Sequence, residues 1–279
     1  MAISAAEVAK LRKMTGAGMM DCKKALEETD GDYEKAIEFI RKKGQLVASK
    51  RADREASEGC VLSGITQDGK LGAVVVLNCE TDFVAKNGDF VKFTQGILDV
   101  ALASKPADME ALQQLSVNGT SITNGINDRL AAIGEKIELS YFGTLEAEQV
   151  VAYIHPGNKL ACLVGFNQVL NNLQTGKDVA MQVAAMNPVA VSKESVPLAV
   201  VEKEKEIALE QTKNDPRNQG KPEIIVSRIA EGKLEKFFKD STLMSQEFIK
   251  DSKQTVAQYL ESAQKGLVVS KFIRQQLGE

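Results

Sequence analysis

The sequence predicts an α+β fold, in which antiparallel strands come in runs and helices are segregated between them. Residues 60–79 and 150–166 each predict two short strands joined by a turn, and an amphipathic helix follows each pair. The first 50 residues have a helical pattern throughout. A densely charged pair of helices interrupts the last third of the chain.

The N-terminal segment, residues 1–50, predicts a three-helix module. The third helix carries apolar residues at i, i+3, i+4 and i+7 spacing, namely Tyr33, Ala36, Ile37 and Ile40. The expected apolar faces of the first two helices are Val8, Leu11 and Met14, and Met19, Cys22, Ala25 and Leu26. Asp32 is the expected N-cap of the third helix, and Gly44 is its expected end.

The rest of the chain divides where its composition changes. Residues 51–58 are charged, small and aperiodic, which predicts a linker. Residues 59–146 and 147–279 predict two related core subdomains, each containing a hairpin of strands followed by a helix. An antiparallel helical hairpin is expected as an insertion at about 197–241, because two helices there flank a turn rich in proline and glycine.

The first subdomain starts with strands at 60–66 and 71–79, which flank Asp68-Gly69, the usual dipeptide of a tight hairpin. The second strand is continuously apolar, so we expect it to be covered on both faces. The next helix, from about residue 89, carries a core-facing stripe of Phe90, Phe93, Ile97, Leu98 and Ala101.

A helix at 121–133 and a strand at 136–145 are expected before the second subdomain begins. That subdomain repeats the plan with strands at 150–154 and 160–166, and residues 267–276 predict a last strand. The helix after its hairpin is expected to bury Val179, Val183 and Met186. In the helical hairpin, the expected apolar stripe of the second helix is Ile225, Ile229, Leu234 and Phe237.

The composition argues against several classes of protein. Charged residues make up 26% of the chain and the net charge is −3, so there is no global basic field that favours direct nucleic-acid binding. The N-terminus lacks the apolar stretch of a signal peptide, and no apolar run approaches the ~18 residues of a membrane span. A cytoplasmic protein that does not contact membranes is therefore expected.

The sequence contains no pattern typical of a metal or catalytic centre. The four cysteines, Cys22, Cys60, Cys79 and Cys162, form no CxxC pair, and His155 is the single histidine. A zinc site would have to combine scattered positions, so we expect reduced, buried thiols, with no metal and no cofactor. Phosphate-binding loop motifs are absent. An enzyme that uses Cys79 or Cys162 with His155 is the catalytic alternative.

The segment Asn78–Asn87 joins a buried strand to a helix, where loops often carry function. Its middle is Thr81, Asp82, Phe83 and Val84. The residues alone leave two interpretations open. Phe83 is exposed for contact, or it is the first core residue of the next helix, with Thr81 or Asp82 as its cap. The buried arrangement is the commoner one for phenylalanine.

Three other residues are candidates for contact with a partner. Met19 and Met20 are adjacent, and adjacent helical residues point about 100° apart, so only one of them can face the interior squarely. The other is a candidate contact, because flexible methionine suits an interaction surface. His155 directly precedes a Pro-Gly turn, where we expect an exposed histidine.

Several blocks of sequence share one resemblance. Leu11–Leu26 and Asn78–Ala85 are long and distinctive, whereas Ile133–Ile137, Gly220–Pro222 and Glu231-Gly232 are shorter. All of them resemble signatures of the bacterial translation elongation factor Ts family, the first two almost residue for residue. The blocks occur in the family's order and span nearly the whole chain.

The resemblance implies a non-catalytic guanine-nucleotide exchange factor for elongation factor Tu, the GTPase that delivers aminoacyl-tRNA. The partner contacts that it implies are Thr81, Asp82, Phe83 and Val84, which help to dislodge Mg²⁺; Leu11, Met19 and Met20 in the N-terminal module; and, more weakly, Ile133, Gly134 and His155. It also implies a dimerising or accessory role for the helical hairpin, so a homodimer or a 2:2 complex is one expected assembly.

Two further expectations accompany this resemblance. Some members of the family continue past the last strand into an extra helical module, and contacts of that kind are not expected for a sequence that stops at Glu279. The alternative from another class is an adaptor without exchange activity. Its three-helix module, which resembles the ubiquitin-associated fold, would bind a ribosomal or chaperone partner and would need no role for Phe83.

Overall fold

The structure is a computed structural model that describes residues 3–51 and 53–278, with only the backbone described for residues 45–51. Within this part of the chain, helices combine with antiparallel sheets, as expected for the α+β class. Among the helices so described, none is long and apolar enough to cross a bilayer.

The chain begins with three helices, α1 (Ala5–Thr15), α2 (Met19–Glu28) and α3 (Tyr33–Arg51). Their common core consists of Val8, Leu11, Ala17, Cys22, Ala25, Leu26, Ala36 and Ile40. Met14 and Met19, which were expected in this core, lie at the surface instead. Ala17, in the turn between α1 and α2, is buried within the core in their place.

The start of α3 was predicted correctly and its end was not. Asp32 accepts hydrogen bonds from the backbone N–H groups of Glu34 and Lys35, both at 3.1 Å, which confirms it as a capping residue. The helix then continues through Gly44 to Arg51. Gly44 therefore has a different role from the predicted stop.

Gly44 is buried where α3 meets α7 (Ile122–Ile133). A Cβ atom at this position would lie 2.6 Å from the Cβ of Ala131, closer than side chains tolerate. Beside this contact, Arg41 Nε lies 3.2 Å from Asp128 Oδ1. The missing side chain thus lets the two helices approach, a role that sequence pattern cannot distinguish from a C-terminal cap.

The first sheet has the strand order β1-β2-β5 and is antiparallel throughout. Its strands are β1 (Glu58–Ile65), β2 (Leu71–Cys79) and β5 (Ile137–Glu146). Every residue of β2 is buried, which confirms that this strand is covered on both faces. Around it lie α4 (Asp82–Ala85), α5 (Gly88–Ser104), α6 (Met109–Gln114), β3 (Ser116–Val117) and β4 (Thr120–Ser121). The predicted apolar stripe of α5 is buried as expected.

The second sheet has the order β6-β7-β10 and is likewise antiparallel. Its strands are β6 (Gln149–Ile154), β7 (Leu160–Phe166) and β10 (Val269–Gln276). The helix α8 (Leu173–Met186) covers it and buries Val179 and Val183 as predicted, but Met186 is exposed at the last turn. The elements β8 (Glu247–Phe248), β9 (Asp251–Thr255) and α11 (Val256–Ala263) complete this side of the molecule.

The two sheets share an apolar layer. It consists of Val61, Val74, Val76, Leu145, Val150, Ala161 and Leu163. Glycine makes the close approach possible, since a Cβ on Gly72 would lie 2.7 Å from Leu163 and one on Gly165 would lie 2.6 Å from Leu145. The helices that cover each sheet therefore lie on the outer faces.

The helices α9 (Leu198–Asn214) and α10 (Glu223–Ser241) contact each other across a short connection. The predicted stripe on α10 is offset by one position. Val226, Ala230 and Phe238 are buried, whereas Ile225 is exposed. Apolar and charged residues are mixed on every side of this helix. The 3.6-residue period therefore does not fix which of two adjacent residues faces the other helix.

Candidate functional site

The segment after β2 turns directly into α4, a helix of only one turn. Thr81 has extended backbone and caps α4 through a 3.5 Å bond from the N–H of Val84. Val84 is half-buried against the core of the first sheet and Ala85 is buried. Phe83 points the other way, with 86% of its surface exposed. Of the two arrangements that the sequence left open, the structure has Phe83 exposed, while Val84 and Ala85 face the core.

Two carboxylates hold the segment before Phe83. The Glu135 carboxylate accepts from the Thr81 N–H at 3.1 Å and from the Thr81 hydroxyl at 2.7 Å. The Glu80 carboxylate accepts from the Lys136 N–H at 2.6 Å and from Arg54 at 3.0 Å. Bonds to ionised acceptors are stronger than neutral ones, so this part of the segment is firmly anchored. Sequence reasoning matched both glutamates to family blocks but assigned them no role.

Asp82 lies at the first position of α4 and pairs with Lys86 at 2.6 Å. The hydrogen bond from Lys86 is the main reason that the pKa of the Asp82 carboxyl lies below its ordinary value. The ammonium of Lys159 adds to this effect. Asp82 therefore carries its negative charge beside Phe83 at neutral pH.

His155 lies in the hairpin between β6 and β7 and is exposed, as expected. Its Nδ1 atom lies 3.0 Å from the Tyr153 hydroxyl. The same hairpin tip reaches α4, because Asn158 and Lys159 line one cleft together with Asp82 and Lys86. The structure thus brings the His155 hairpin close to the Phe83 segment.

Ile133 and Gly134 lie at the C-terminal end of α7. Ile133 is 41% exposed, and Gly134 has a φ of 79°, which ends the helix in the left-handed conformation. Ile133 lines a groove of about 570 Å³ that also includes Arg12 and Met14 of α1. This end of α7 therefore faces both the three-helix module and the first sheet.

In the three-helix module, the structure separates the candidate contacts. Met20 is 75% exposed and Met19 is 41% exposed, so both can meet a partner. Leu11 is fully buried in the core of the module. A direct partner contact through Leu11 is thus incompatible with this structure, because its side chain shares the buried core of the module with residues such as Cys22 and Leu26.

The cysteines do not have the surroundings of nucleophiles. All four are buried. Burial, together with the negative charge of Glu135, raises the pKa of Cys79 to about 12, and burial raises that of Cys60 to about 11. A thiol with such a pKa stays protonated near neutral pH. Within the described residues, no group of three or more His, Cys, Asp or Glu side chains is arranged to hold a metal ion.

Comparison with known proteins gives relatives along the whole chain. A family model described as Elongation factor TS matches residues 80–279. The protein named elongation factor Ts in Porphyromonas gingivalis is 51% identical over 275 residues, with 98% of each chain covered. Those in Amoebophilus asiaticus and Christiangramia forsetii are 49% identical over 280 residues and 48% over 277 residues, covering 100% and 99% of each chain. With this identity and coverage, the chain belongs to the elongation factor Ts family of translation factors.

Proposed function

We propose that this protein is a guanine-nucleotide exchange factor for elongation factor Tu, and that Phe83 is the residue that disturbs the partner's Mg²⁺ and phosphate site. The observation that carries the proposal is the exposure of Phe83 on a helix of one turn. A phenylalanine in water loses the free energy that burial would supply, so a partner that covers it gains affinity. Family membership supports the identity of that partner.

The proposed mechanism needs no covalent step. GDP in a GTPase is held by Mg²⁺ and by backbone N–H groups around the phosphates. A rigid aromatic ring that enters beside this site separates the elements that shape it, and the nucleotide loses contacts. Because coupling between two ligands is reciprocal, tighter binding of the factor must accompany weaker binding of GDP.

The four residues of the segment have different roles in this proposal. Phe83 makes the contact, and Asp82 presents a carboxylate next to it. Thr81 and Val84 are turned toward the protein itself, since the Thr81 hydroxyl donates to Glu135 and Val84 packs on the core. We therefore assign them to support rather than to direct contact.

Further contacts are proposed at two surfaces. Met19 and Met20 offer an apolar surface on the three-helix module, and Ile133, Gly134 and His155 offer smaller ones near α4. In this proposal, residues 1–50 are the docking module and the two sheets belong to related subdomains at 59–146 and 147–279. The protein would act in the cytoplasm, as a non-catalytic factor, and the hairpin of α9 and α10 would be an accessory element.

The test is the release of fluorescent GDP from elongation factor Tu, followed by stopped flow. The wild type should accelerate release strongly, and Phe83→Ala should reduce the acceleration by about 30-fold or more, as for a central aromatic contact. Val169→Ala is the matched control, because Val169 is another exposed apolar residue, 64% accessible, in the loop after β7. Circular dichroism should show that both variants are folded.

Three outcomes would count against parts of the proposal. No acceleration by the wild type would reject exchange activity. Equal rates for wild type and Phe83→Ala would reject the role of Phe83 alone. If Met20→Ala abolished binding to elongation factor Tu and Phe83→Ala left it intact, the adaptor alternative would be favoured.

A further inference from the structure

The backbone ladder between β2 and β5 ends one step before the Phe83 segment. Its last pair is Cys79 with Ile137. Continued by one and two steps, the same register would place Glu80 opposite Lys136 and Thr81 opposite Glu135. At these two positions the strands have ended, and backbone-to-backbone bonds no longer join the chains.

Side chains take over where the ladder stops. The Glu80 carboxylate accepts the N–H of Lys136, and the Glu135 carboxylate accepts the N–H of Thr81. Each strand thus satisfies a backbone donor of the opposite strand, much as a capping box satisfies the donors at a helix start. Glu135 also accepts the Thr81 hydroxyl, so it holds Thr81 at two points. We call these bonds the carboxylate brace, formed by Glu80, Thr81, Glu135 and Lys136.

The position of Phe83 depends on this brace more than on contacts of its own ring. The ring is 86% exposed, so the protein surface does little to orient it. Its direction follows from the backbone of α4, and Thr81 caps the start of α4. One side of α4 is held by the apolar contacts of Val84 and Ala85. The opposite, N-terminal side is held by Glu135.

We propose that Glu135 is a positioning residue for Phe83: its two hydrogen bonds to Thr81 fix the direction of α4 and hold the exposed ring ready for the partner. The part of this inference that concerns exchange rests on the proposed function, whereas the part that concerns the order of α4 does not. Preorganisation matters here because a ring that must be ordered on binding costs affinity.

The order of α4 can be measured without a partner. The sequence contains no tryptophan, so Phe83→Trp introduces a single indole fluorophore at this position. In that background, Glu135→Ala should lower the fluorescence anisotropy and speed amide exchange at Thr81 and Val84. Glu138→Ala is the matched control, since Glu138 is a glutamate three residues further along the chain, on β5, and pairs with Lys136 at 3.2 Å but makes no bond to Thr81. Equal anisotropy in the two variants would overturn the proposal.

The exchange assay gives a second arm. Glu135→Ala should reduce the acceleration of GDP release by roughly tenfold, the size expected for one charge-assisted hydrogen bond. Glu135→Gln keeps one acceptor oxygen and should recover part of this loss. Thr81→Val removes the hydroxyl alone. Combined with Glu135→Ala, it should add little, because the hydroxyl's acceptor is already gone.

The outcomes separate the two proposals. If the reductions in GDP-release acceleration caused by Thr81→Val and Glu135→Ala add up in the double variant, the positioning role is wrong even though exchange occurs. If the wild type does not accelerate GDP release, the proposed function is wrong, and anisotropy and amide exchange still decide whether Glu135 orders α4. Should Glu135→Ala fail to fold, Glu135→Gln and Thr81→Val carry the same tests.

Discussion

The loops that follow β2 and β7 occupy the same place in the two sheets. Each leaves the central strand of a three-stranded antiparallel sheet and leads to the helix that covers it. Each also exposes an apolar side chain, Phe83 after β2 and Val169 after β7. The next residues turn inward in both loops, with Val84 half-buried and Leu170 buried. Exposure of an apolar residue is therefore a common feature of this position.

The two loops differ in how they are anchored. The loop after β7 is held by neutral amides, with Gln149 accepting from the Leu170 N–H at 2.6 Å and Gln264 donating to the Val169 carbonyl at 3.0 Å. The loop after β2 is held by the carboxylate brace and contains a helical turn. Phe83 thus differs from Val169 in that bonds to carboxylates, rather than to neutral amides, hold the backbone beside it. The candidate site is therefore distinguished by an exposed aromatic ring, Phe83, on a helical turn that the carboxylate brace holds in place.

The largest effect should come from the cores on which the two loops rest. Phe90 and Phe166 are both buried, one in each outer core. Phe90→Ala and Phe166→Ala should each lower the free energy of unfolding by about 3–5 kcal/mol, because each leaves a cavity. Urea unfolding measures this. Each variant should unfold in one transition, because the sheets share an apolar layer, and two separate transitions would show that they fold independently.

The helices that cover the two sheets also differ, because α8 buries a charged side chain, Asp178. Burial alone raises the pKa of the Asp178 carboxyl, but hydrogen bonds from Lys250, Gln174 and Tyr259 outweigh burial and hold it below its ordinary value. The folded state therefore gains stability from Asp178 above the unfolded pKa of about 3.9 and loses it as pH falls through the folded pKa. The corresponding helix, α5, buries the uncharged Thr94 instead.

Asp178→Asn should lower the free energy of unfolding by about 2 kcal/mol at pH 7, because it removes the ion pair with Lys250 and weakens the other bonds. The difference from wild type should shrink as pH falls below the unfolded pKa of about 3.9 and through the folded pKa, which lies lower, because the folded wild-type carboxyl becomes protonated only there. Urea unfolding at pH 7 and pH 3 measures it. A difference that stays constant with pH would contradict the role of the charge.

Removing the anchors of the two loops should have effects equal to or smaller than that of Asp178→Asn. Glu135→Ala should lower the free energy of unfolding by about 2 kcal/mol and Gln149→Ala by about 1 kcal/mol, because hydrogen bonds to charged groups contribute more than neutral ones. Both anchors are partly buried, so the comparison is between similar sites. Thermal or urea unfolding gives the values, and a larger effect for Gln149→Ala would reverse the interpretation.

The smallest effect on stability belongs to the exposed residues themselves. Phe83→Ala and Val169→Ala should each change the free energy of unfolding by less than about 0.5 kcal/mol, because little of either side chain is buried on folding. Calorimetry would measure this. A large loss for Phe83→Ala would mean that the ring supports the fold, and the loss of exchange could then not be assigned to contact with a partner.

Periodicity predicted the regular elements well and the special positions poorly. The buried strand β2 and the stripe of α5 carry strong patterns and were confirmed. Phe83 could not be placed from periodicity, because a one-turn helix has too few residues to define a face. The prediction that Gly44 ends α3 is wrong because a glycine that caps a helix and a glycine that admits a neighbouring helix look alike in sequence. The carboxylate brace has no local sequence signal, because Glu80 and Glu135 lie 55 positions apart and the backbone N–H that each one accepts is set by sheet register.

The contact at Gly44 has a consequence for affinity. It holds the helices that carry Met20 against α7, and α7 leads through Gly134 to Glu135. If both Met20 and Phe83 contact the partner, as proposed, the protein is a bivalent ligand whose two contact sites are connected through these packed helices. Once one contact site is bound, the other meets the partner at a high effective concentration, provided that the distance between the two sites matches the partner's surface. A bulky residue at position 44 would change the distance between the two contact sites. It would lower avidity while leaving Met20 and Phe83 themselves unchanged.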